Sequence, residues 1–505
     1  MTDLNQVETV EPGPDRASGA EPQHPCLTIA FHPDTRRVGE HLSPSVWPID
    51  LCRTEPSFRD GRGQVTGPLA CLNVSRKAIR LRQEEGGLLL ETGAHGTHVR
   101  VDGDDLVGPR RLSREELAAG VVLELAHRIV LLLHLRTAVP PSPAPLGLVG
   151  ESDALERLRA QIVQVAERSA PVLLQGETGT GKELVARALH ACGRGDRRPF
   201  VAVNLAAIPA SVAASELFGH AAGAFTGAGT EHCGLFEQAD GGTLFLDEVG
   251  AADPQLQGVL LRVLDSGEFH PLGARVPRRV DVRVVAATDT DLAEAVAAGR
   301  FRAPLFHRLT GHVLRVPPLR ERRDDVGRLL IHFLRLRLAE VGASGRLDEP
   351  ENGAAPWVPA ELVARLVRAP WPGNVRELSN LAHRMVAGYH QLDAVNGAEF
   401  AGADSRAAGG EARPAAGPIS EERLVETMQA CDFRIGASAR RLGISRNALY
   451  ALLERSPQLR RAKDLSAEEI ARCREVCGDS PEAMARHLQV SVRALKLRLR
   501  GLGRS

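Results

Sequence analysis

Glycines at 176, 179 and 181 followed by Lys182 have the spacing that can hold a phosphate. In Gly176-Glu177-Thr178-Gly179-Thr180-Gly181-Lys182-Glu183, the glycines let backbone N–H groups approach an anion, and Lys182 can reach the terminal phosphates of a nucleotide. Glu183 stands where most such loops carry a Ser or Thr for magnesium. Downstream, Gly241-Gly242-Thr243-Leu244-Phe245-Leu246-Asp247-Glu248 is an apolar run ending in two carboxylates. That order suits Asp247 to hold Mg2+ and Glu248 to polarise an attacking water. A third run, Val280 to Asp289, ends in Thr288-Asp289, polar groups able to sense a γ-phosphate.

These residues need elements to position them. Val172-Leu173-Leu174-Gln175 reads as a short buried strand feeding the glycine loop, and a helix follows through His190. The helix dipole then points its positive end at the phosphates. Leu155, Leu158, Ile162 and Val165 fall on one face of a preceding helix. Strands alternating with helices imply a parallel sheet with the ligand at the strand C-termini. Between the two halves of the site lies Gly223-Ala224-Phe225-Thr226-Gly227-Ala228, a glycine-bracketed loop tip. Its Phe either packs underneath or meets a partner.

The chain has 505 residues, more than one core can serve, and equal numbers of basic and acidic residues, 63 each. Any affinity for nucleic acid must therefore come from a local patch. The eight cysteines contain no Cys-x-x-Cys pair, which argues for free thiols in a reducing cytoplasm over zinc or disulfides. The polar, acidic opening is unlike a signal peptide, and the apolar run Val121 to Leu135 is too short and too interrupted to span a bilayer.

Residues 1–25 read as a disordered tail. Residues 26–136 carry short alternating segments without helical period and predict a β-sandwich. A Pro-rich linker spans 137–146, the α/β subdomain 147–318, a helical lid 319–400, and a second linker 401–418. The last segment holds an internal repeat at an offset of 46 residues, 419–463 and 464–505: Ala439-Arg440-Arg441-Leu442-Gly443-Ile444-Ser445 recurs as Ala485-Arg486-His487-Leu488-Gln489-Val490-Ser491. Each copy fits a helix, a turn and a recognition helix capped by Ser445 or Ser491. With 17 basic and 11 acidic residues, 419–505 is the local basic patch. Arg446, Asn447 and Tyr450 would face base edges or phosphates, while Arg440 and Arg441 suit the backbone. Arg493, Lys496 and Arg498 are the counterparts in copy two, which reads either as a second DNA-contacting unit or as a dimerisation and packing module.

Taken together, the central motifs resemble the AAA+ domain of bacterial enhancer-binding proteins, the activators of sigma-54 RNA polymerase. The resemblance covers about 148–391 and rests on the glycine loop with its Glu183, on Glu216-Leu217-Phe218-Gly219-His220 with the Gly-Ala-Phe-Thr-Gly-Ala loop, on Phe236-Glu237-Gln238-Ala239-Asp240-Gly241-Gly242-Thr243, and on Trp371-Pro372-Gly373-Asn374-Val375-Arg376-Glu377-Leu378. It implies ATP with Mg2+, a hexameric ring, and Phe225 and Thr226 as the sigma-54 contact. It further implies that Asn204 restrains Glu248, Glu237 links nucleotide state to the loop, Thr288 is a first sensor and Arg376 a second. Arg302 and Arg308 resemble arginine fingers entering a neighbour's site; Pro304 replaces the usual Asp between them, and Asp289 the usual Asn after the first sensor. The first C-terminal copy resembles the Fis-type helix-turn-helix.

The sandwich resembles a forkhead-associated domain through Arg37-Val38-Gly39, Val74-Ser75-Arg76-Lys77 and Gly96-Thr97, which implies phosphothreonine binding by Ser75 and Arg76. Glu40 in place of an arginine would repel the phosphate, so protein contact or dimerisation is the competing use. Two rivals to the whole reading remain at this point: a protein-remodelling AAA+ unfoldase, and a DNA-binding scaffold with a decayed ATPase.

Overall fold

The computed structural model describes residues 23–388, except 78, 93–95, 138–144, 196, 226–227 and 350–354, together with isolated positions between 424 and 484. Two compact units divide the chain, Met1–Ala394 and Val395–Ser505. Residues 1–22, the linker 401–418, Thr226, Arg440, Arg441, Ser445, Arg446, Asn447, Tyr450, Arg493, Lys496 and Arg498 lie outside the described residues. In the second unit, Leu424, Met428, Cys473 and Met484 are buried.

The N-terminal part is a sandwich of two antiparallel sheets. Strands β1 (Gln23–Phe31), β2 (His41–Leu42), β3 (Ile49–Leu51), β4 (Phe58–Arg59), β5 (Val65–Gly67), β6 (Ile79–Glu84), β7 (Gly87–Thr92), β8 (Val99–Val101), β9 (Asp104–Asp105), β10 (Arg110–Ser113), β11 (Val121–Leu125) and β12 (Ile129–Thr137) run in the orders β5-β4-β2-β1-β12-β11-β8-β9 and β10-β7-β6-β3. A short helix, α1 (Arg114–Ala119), interrupts the strands; a capping box between Ser113 and Glu116 starts it. Leu27, Ile29, Leu131 and Leu133 fill the space between the sheets. Their alternates Thr28, Ala30, Val130 and Leu132 are equally buried, because β1, β11 and β12 pack their other face on the lid helices described below.

The central sheet is parallel. Its strands β13 (Val172–Gln175), β14 (Phe200–Asn204), β15 (Thr243–Asp247), β18 (Arg283–Thr288) and β19 (His312–Arg315) run in the order β14-β15-β18-β13-β19. A two-stranded ribbon, β16 (Glu268–Phe269) with β17 (Arg278–Arg279), sits apart from it. Helices α2 (Asp153–Ala166), α3 (Lys182–Gly193), α4 (Ala210–Phe218), α5 (Leu235–Gln238), α6 (Pro254–Ser266), α7 (Leu292–Ala297) and α8 (Ala303–Leu309) flank the sheet. In α2 the expected face, Leu155, Leu158, Ile162 and Val165, is buried, and Ser152 caps the first turn. The lid comprises α9 (Val326–Glu340), α10 (Ala360–Arg368) and α11 (Asn374–Val386). The run expected as a strand from 280 begins at Arg283, because Val280 donates to the Gly267 carbonyl beside the ribbon and Asp281 pairs with Arg194. The parallel arrangement brings Gln175, Asn204, Asp247 and Thr288 to one edge of the sheet.

Candidate nucleotide site

At the end of β13 the chain turns through Gly176–Gly181 into α3. Gly179 and Gly181 hold φ of +81° and +101°, the left-handed region that a side chain disfavours. A Cβ at Gly179 would run into the Gly373 carbonyl of the lid, so the loop and the lid meet backbone to backbone. Arg376 donates its amide to the Gly179 carbonyl at 3.2 Å. Asn374, fully buried with φ of +52°, ties the seam together: its Nδ2 donates to Glu177 Oε2 and the Thr178 carbonyl, each at 3.1 Å, and its Oδ1 accepts from the Leu319 amide at 2.8 Å. Arg320 grips Glu177 in a two-pronged ion pair at 2.7 and 2.5 Å, which holds the Glu177 carboxyl below its ordinary range.

Lys182 is buried, and its ammonium donates to the Gly176 and Glu177 carbonyls at 2.7 and 3.3 Å. Burial pulls its pKa down, against the opposing pull of Asp247, Asp289 and Glu248. Across the site burial pushes the Asp247 carboxyl up, opposed first by Lys182. The Glu248 amide donates to Asp247 at 3.1 Å, and Glu248 itself is left-handed, φ 54° and ψ 47°. For a residue with a long side chain that conformation costs roughly 1–2 kcal/mol. Asn204 lies beside Asp247 in register, but its Oδ1 accepts from the Ala206 amide at 2.9 Å, so the carboxamide caps the next turn. Thr288 is buried and shares hydrogen bonds with Thr290. Asp289, standing where the family carries Asn, accepts from Thr178 Oγ1 at 2.7 Å. Glu183 is exposed and pairs with Arg187 one turn on at 2.8 Å.

Beside the loop opens a largely apolar cavity of ≈ 240 Å³, walled by Leu148, Leu155, Leu184, Val316 and Phe333 with Arg322 among its polar lining. Its size and lining suit a planar heterocycle attached to phosphates in the loop. Arg302 is the residue that precedes α8, and Arg308 lies in its last turn. Arg302 donates its amide to Gln257 at 2.8 Å, and Arg308 donates to the Leu264 carbonyl at 3.0 and 2.7 Å and pairs with Asp265.

Gly223 donates to the Ala228 carbonyl at 2.7 Å, and Ala228 to the Phe225 carbonyl at 3.0 Å. Phe225 is 49% exposed, with its ring against His220 at 5.0 Å, so it is neither tucked under nor free. In the core, the rings of Phe218 and Phe236 stack at 5.3 Å, and Phe269 meets both at a tilt. Glu237 on α5 forms a salt bridge with Arg278 on β17, and Arg278 also holds Glu231. In the sandwich, the expectation that Glu40 repels an anion is corrected: Glu40 is buried and pairs with Arg37 at 2.7 Å, so its charge is compensated internally. Arg76 is exposed, and Ser75 accepts from the Lys77 amide at 3.0 Å.

Arg320, Arg322, Asn374 and Arg278 had no role assigned from sequence. Asn374 lies two residues before Arg376 in the same motif; the others have partners 41 to 143 residues away, a separation at which no spacing rule operates.

Residues 148–315 match the Sigma-54 interaction domain, 320–395 the AAA+ ATPase lid domain, and 418–455 the bacterial regulatory protein, Fis family. The transcriptional regulatory protein ZraR of Salmonella typhimurium is 41% identical over 318 residues, 62% of this chain and 70% of that protein. The chain belongs to the family of sigma-54-interacting transcriptional regulators. Within that family, the DNA-binding transcriptional regulator NtrC of Escherichia coli K12 is 48% identical over 233 residues, 46% of this chain. The chain spans about half the length of the NtrC proteins it matches, 48% of the Escherichia coli one. The solved structure of NtrX from Brucella abortus in complex with ATP is similar at 29% identity, covering 62% of this chain and 69% of that one with a TM-score of 0.44. Among the described residues no helix is long and apolar enough to cross a membrane.

Proposed function

We propose that the chain is an ATP-hydrolysing activator of sigma-54 RNA polymerase, cytoplasmic, bound to upstream double-stranded DNA through its C-terminal repeats and working as a hexameric ring. The observation that carries this reading is the seam in which Gly179, Glu177 and Thr178 of the phosphate loop bond to Asn374, Arg376 and Arg320 of the lid. Closure of that seam on a nucleotide would move two bodies relative to each other, which is what a mechanical ATPase requires.

Lys182 and the loop amides would bind the triphosphate, with its base in the apolar cavity. A carboxylate made more basic by burial beside a single lysine suits a divalent cation, so Asp247 would hold Mg2+; the ion when bound neutralises phosphate charge. Glu248 would orient the attacking water, and Thr288 and Arg376 would report the γ-phosphate. Arg302 and Arg308 would act in a neighbouring copy. Glu237, through Arg278 and the ribbon, would carry the nucleotide state to Phe225 and Thr226. The sandwich is read as a forkhead-associated-like regulatory domain. Its packing on the lid favours protein contact as its use, while the exposed Ser75–Arg76 loop is where a phosphoprotein partner would bind.

The test is Phe225→Ala in the full chain. Hydrolysis that is retained, and that rises steeply with protein concentration as shared sites demand, is expected together with loss of open-complex formation. A variant that still opens promoters at the original rate overturns the reading.

A further inference from the structure

The four residues just before α9, 322–325, reach the phosphate loop, the sandwich and the start of α2. Arg322 is 5% exposed, lines the nucleotide cavity, and donates to the Thr180 carbonyl of the phosphate loop at 3.3 Å. Its Nε is buried with no hydrogen-bond partner. Arg323 points the other way, into the sandwich. Its Nη1 donates to the Ala119 and Gly120 carbonyls at the end of α1, at 2.6 and 3.4 Å, and its Nη2 to the Arg368 carbonyl at 2.9 Å. Asp324 lies in the field of Arg136 and Asp153. Asp325, 1% exposed, accepts from the Glu151 and Ser152 amides at 2.6 and 3.1 Å and from Ser152 Oγ at 2.6 Å, which fixes the start of α2.

The sandwich has little room to slide past this turn. Gly327 of α9 sits so close to the Ala30 carbonyl of β1 that no side chain would fit between them. Arg368 donates to the Asp102 carbonyl in the loop after β8. Arg136 and Thr137, the last two residues of β12, bond Asp153 at 3.0 and 2.6 Å. Neighbouring Cα atoms are held about 3.8 Å apart, so a displacement of the sandwich taken up at Arg323 is felt at Arg322.

We propose that Arg322 and Arg323 are a positioning pair that makes the nucleotide loop answer to the N-terminal sandwich. The sandwich fixes Arg323, the backbone passes that placement to Arg322, and Arg322 preorganises the loop carbonyl at Thr180 and the wall of the cavity. A partner that shifts the sandwich therefore changes nucleotide affinity, and nucleotide in turn tightens the sandwich contact, since coupling between two sites is reciprocal. The inference rests on the reading of the cavity and loop as the nucleotide site.

The experiment uses the full chain with ADP as the probe. Arg323→Ala and Arg368→Ala loosen the sandwich without touching the phosphate loop, and each is expected to weaken ADP binding on the order of fivefold. Arg80→Ala, which breaks an ion pair with Asp50 on the sandwich's other sheet, should stay within about twofold, the same scale of effect serving as the baseline. Amide exchange at residues 119–121 should slow on saturation with ADP in the parent chain and not in Arg323→Ala, a readout that mere loss of stability would not produce. Should Arg323→Ala fail to fold, Arg368→Ala carries the same comparison. The proposal is overturned if both variants bind ADP like Arg80→Ala, or if ADP leaves exchange at 119–121 unchanged in the parent chain. No ADP binding to the parent chain overturns the nucleotide reading itself, and the proposal with it.

Discussion

Asp324 offers the sharpest test of how the sandwich, the lid and α2 are held together. Burial, and then the Asp325 carboxylate, push its pKa from 3.8 up to about 7, against the pull of Arg136. An acid whose folded pKa is raised stabilises the fold fully below its unfolded pKa. That stability is lost as pH rises from the unfolded value to about 7, because over that window the unfolded chain has released the proton that the folded chain still holds. At about 1.4 kcal/mol per pH unit, the interval between the two values sets a ceiling of about 4 kcal/mol. Asp324→Asn keeps the shape and removes the charge. It should therefore raise the midpoint of thermal unfolding at pH 8, with a gain below that ceiling, and raise it by less at pH 5, where Asp324 is neutral in the folded chain but largely ionised in the unfolded one. The assay is paired melts of the full chain at the two pH values. A loss of stability at pH 8 that exceeds the change at pH 5 would refute the reasoning, because it would mean that Asp324 is ionised and serves as the partner of Arg136.

Glu248→Gln should retain ADP binding and slow hydrolysis by about 10²–10⁴-fold, the usual contribution of a positioned base; an unchanged turnover number removes Glu248 from the chemistry. Gly179→Ala should cost about 1 kcal/mol or more from its positive φ alone and also force the lid off the loop at Gly373, so ADP affinity should fall by about tenfold in a direct titration. Binding equal to that of the parent chain would show that the seam has slack.

Much of the nucleotide site is legible in the sequence because its signals are local. Gly176 to Glu183 states its own backbone requirements within eight residues, and Asp247-Glu248 follows an apolar run that can only be a buried strand. The continuous apolar stretch from Ile129 to Leu133 also carries a usable sign, since a strand without polar alternation has both faces covered. Glu40 shows the opposite failure. Taken alone its carboxylate predicts repulsion of a phosphate, whereas Arg37, three residues earlier, pairs with it.

What the sequence by itself determined is the set of parts: a phosphate loop, two acids at a strand end, a Phe-bearing turn, a sandwich and a repeated basic tail. Each is written in short-range spacing, where chain geometry converts pattern into shape. Only the tertiary structure decided how the parts constrain one another. Asn374 meets Thr178, 196 residues away, and Arg323 meets Ala119, 204 residues away. Such pairs are chosen by which surfaces exclude water together, a property of the folded whole that no window of sequence contains. That is why Lys182 could be read from its neighbours, while the turn that joins its loop to the sandwich could be found only in the fold.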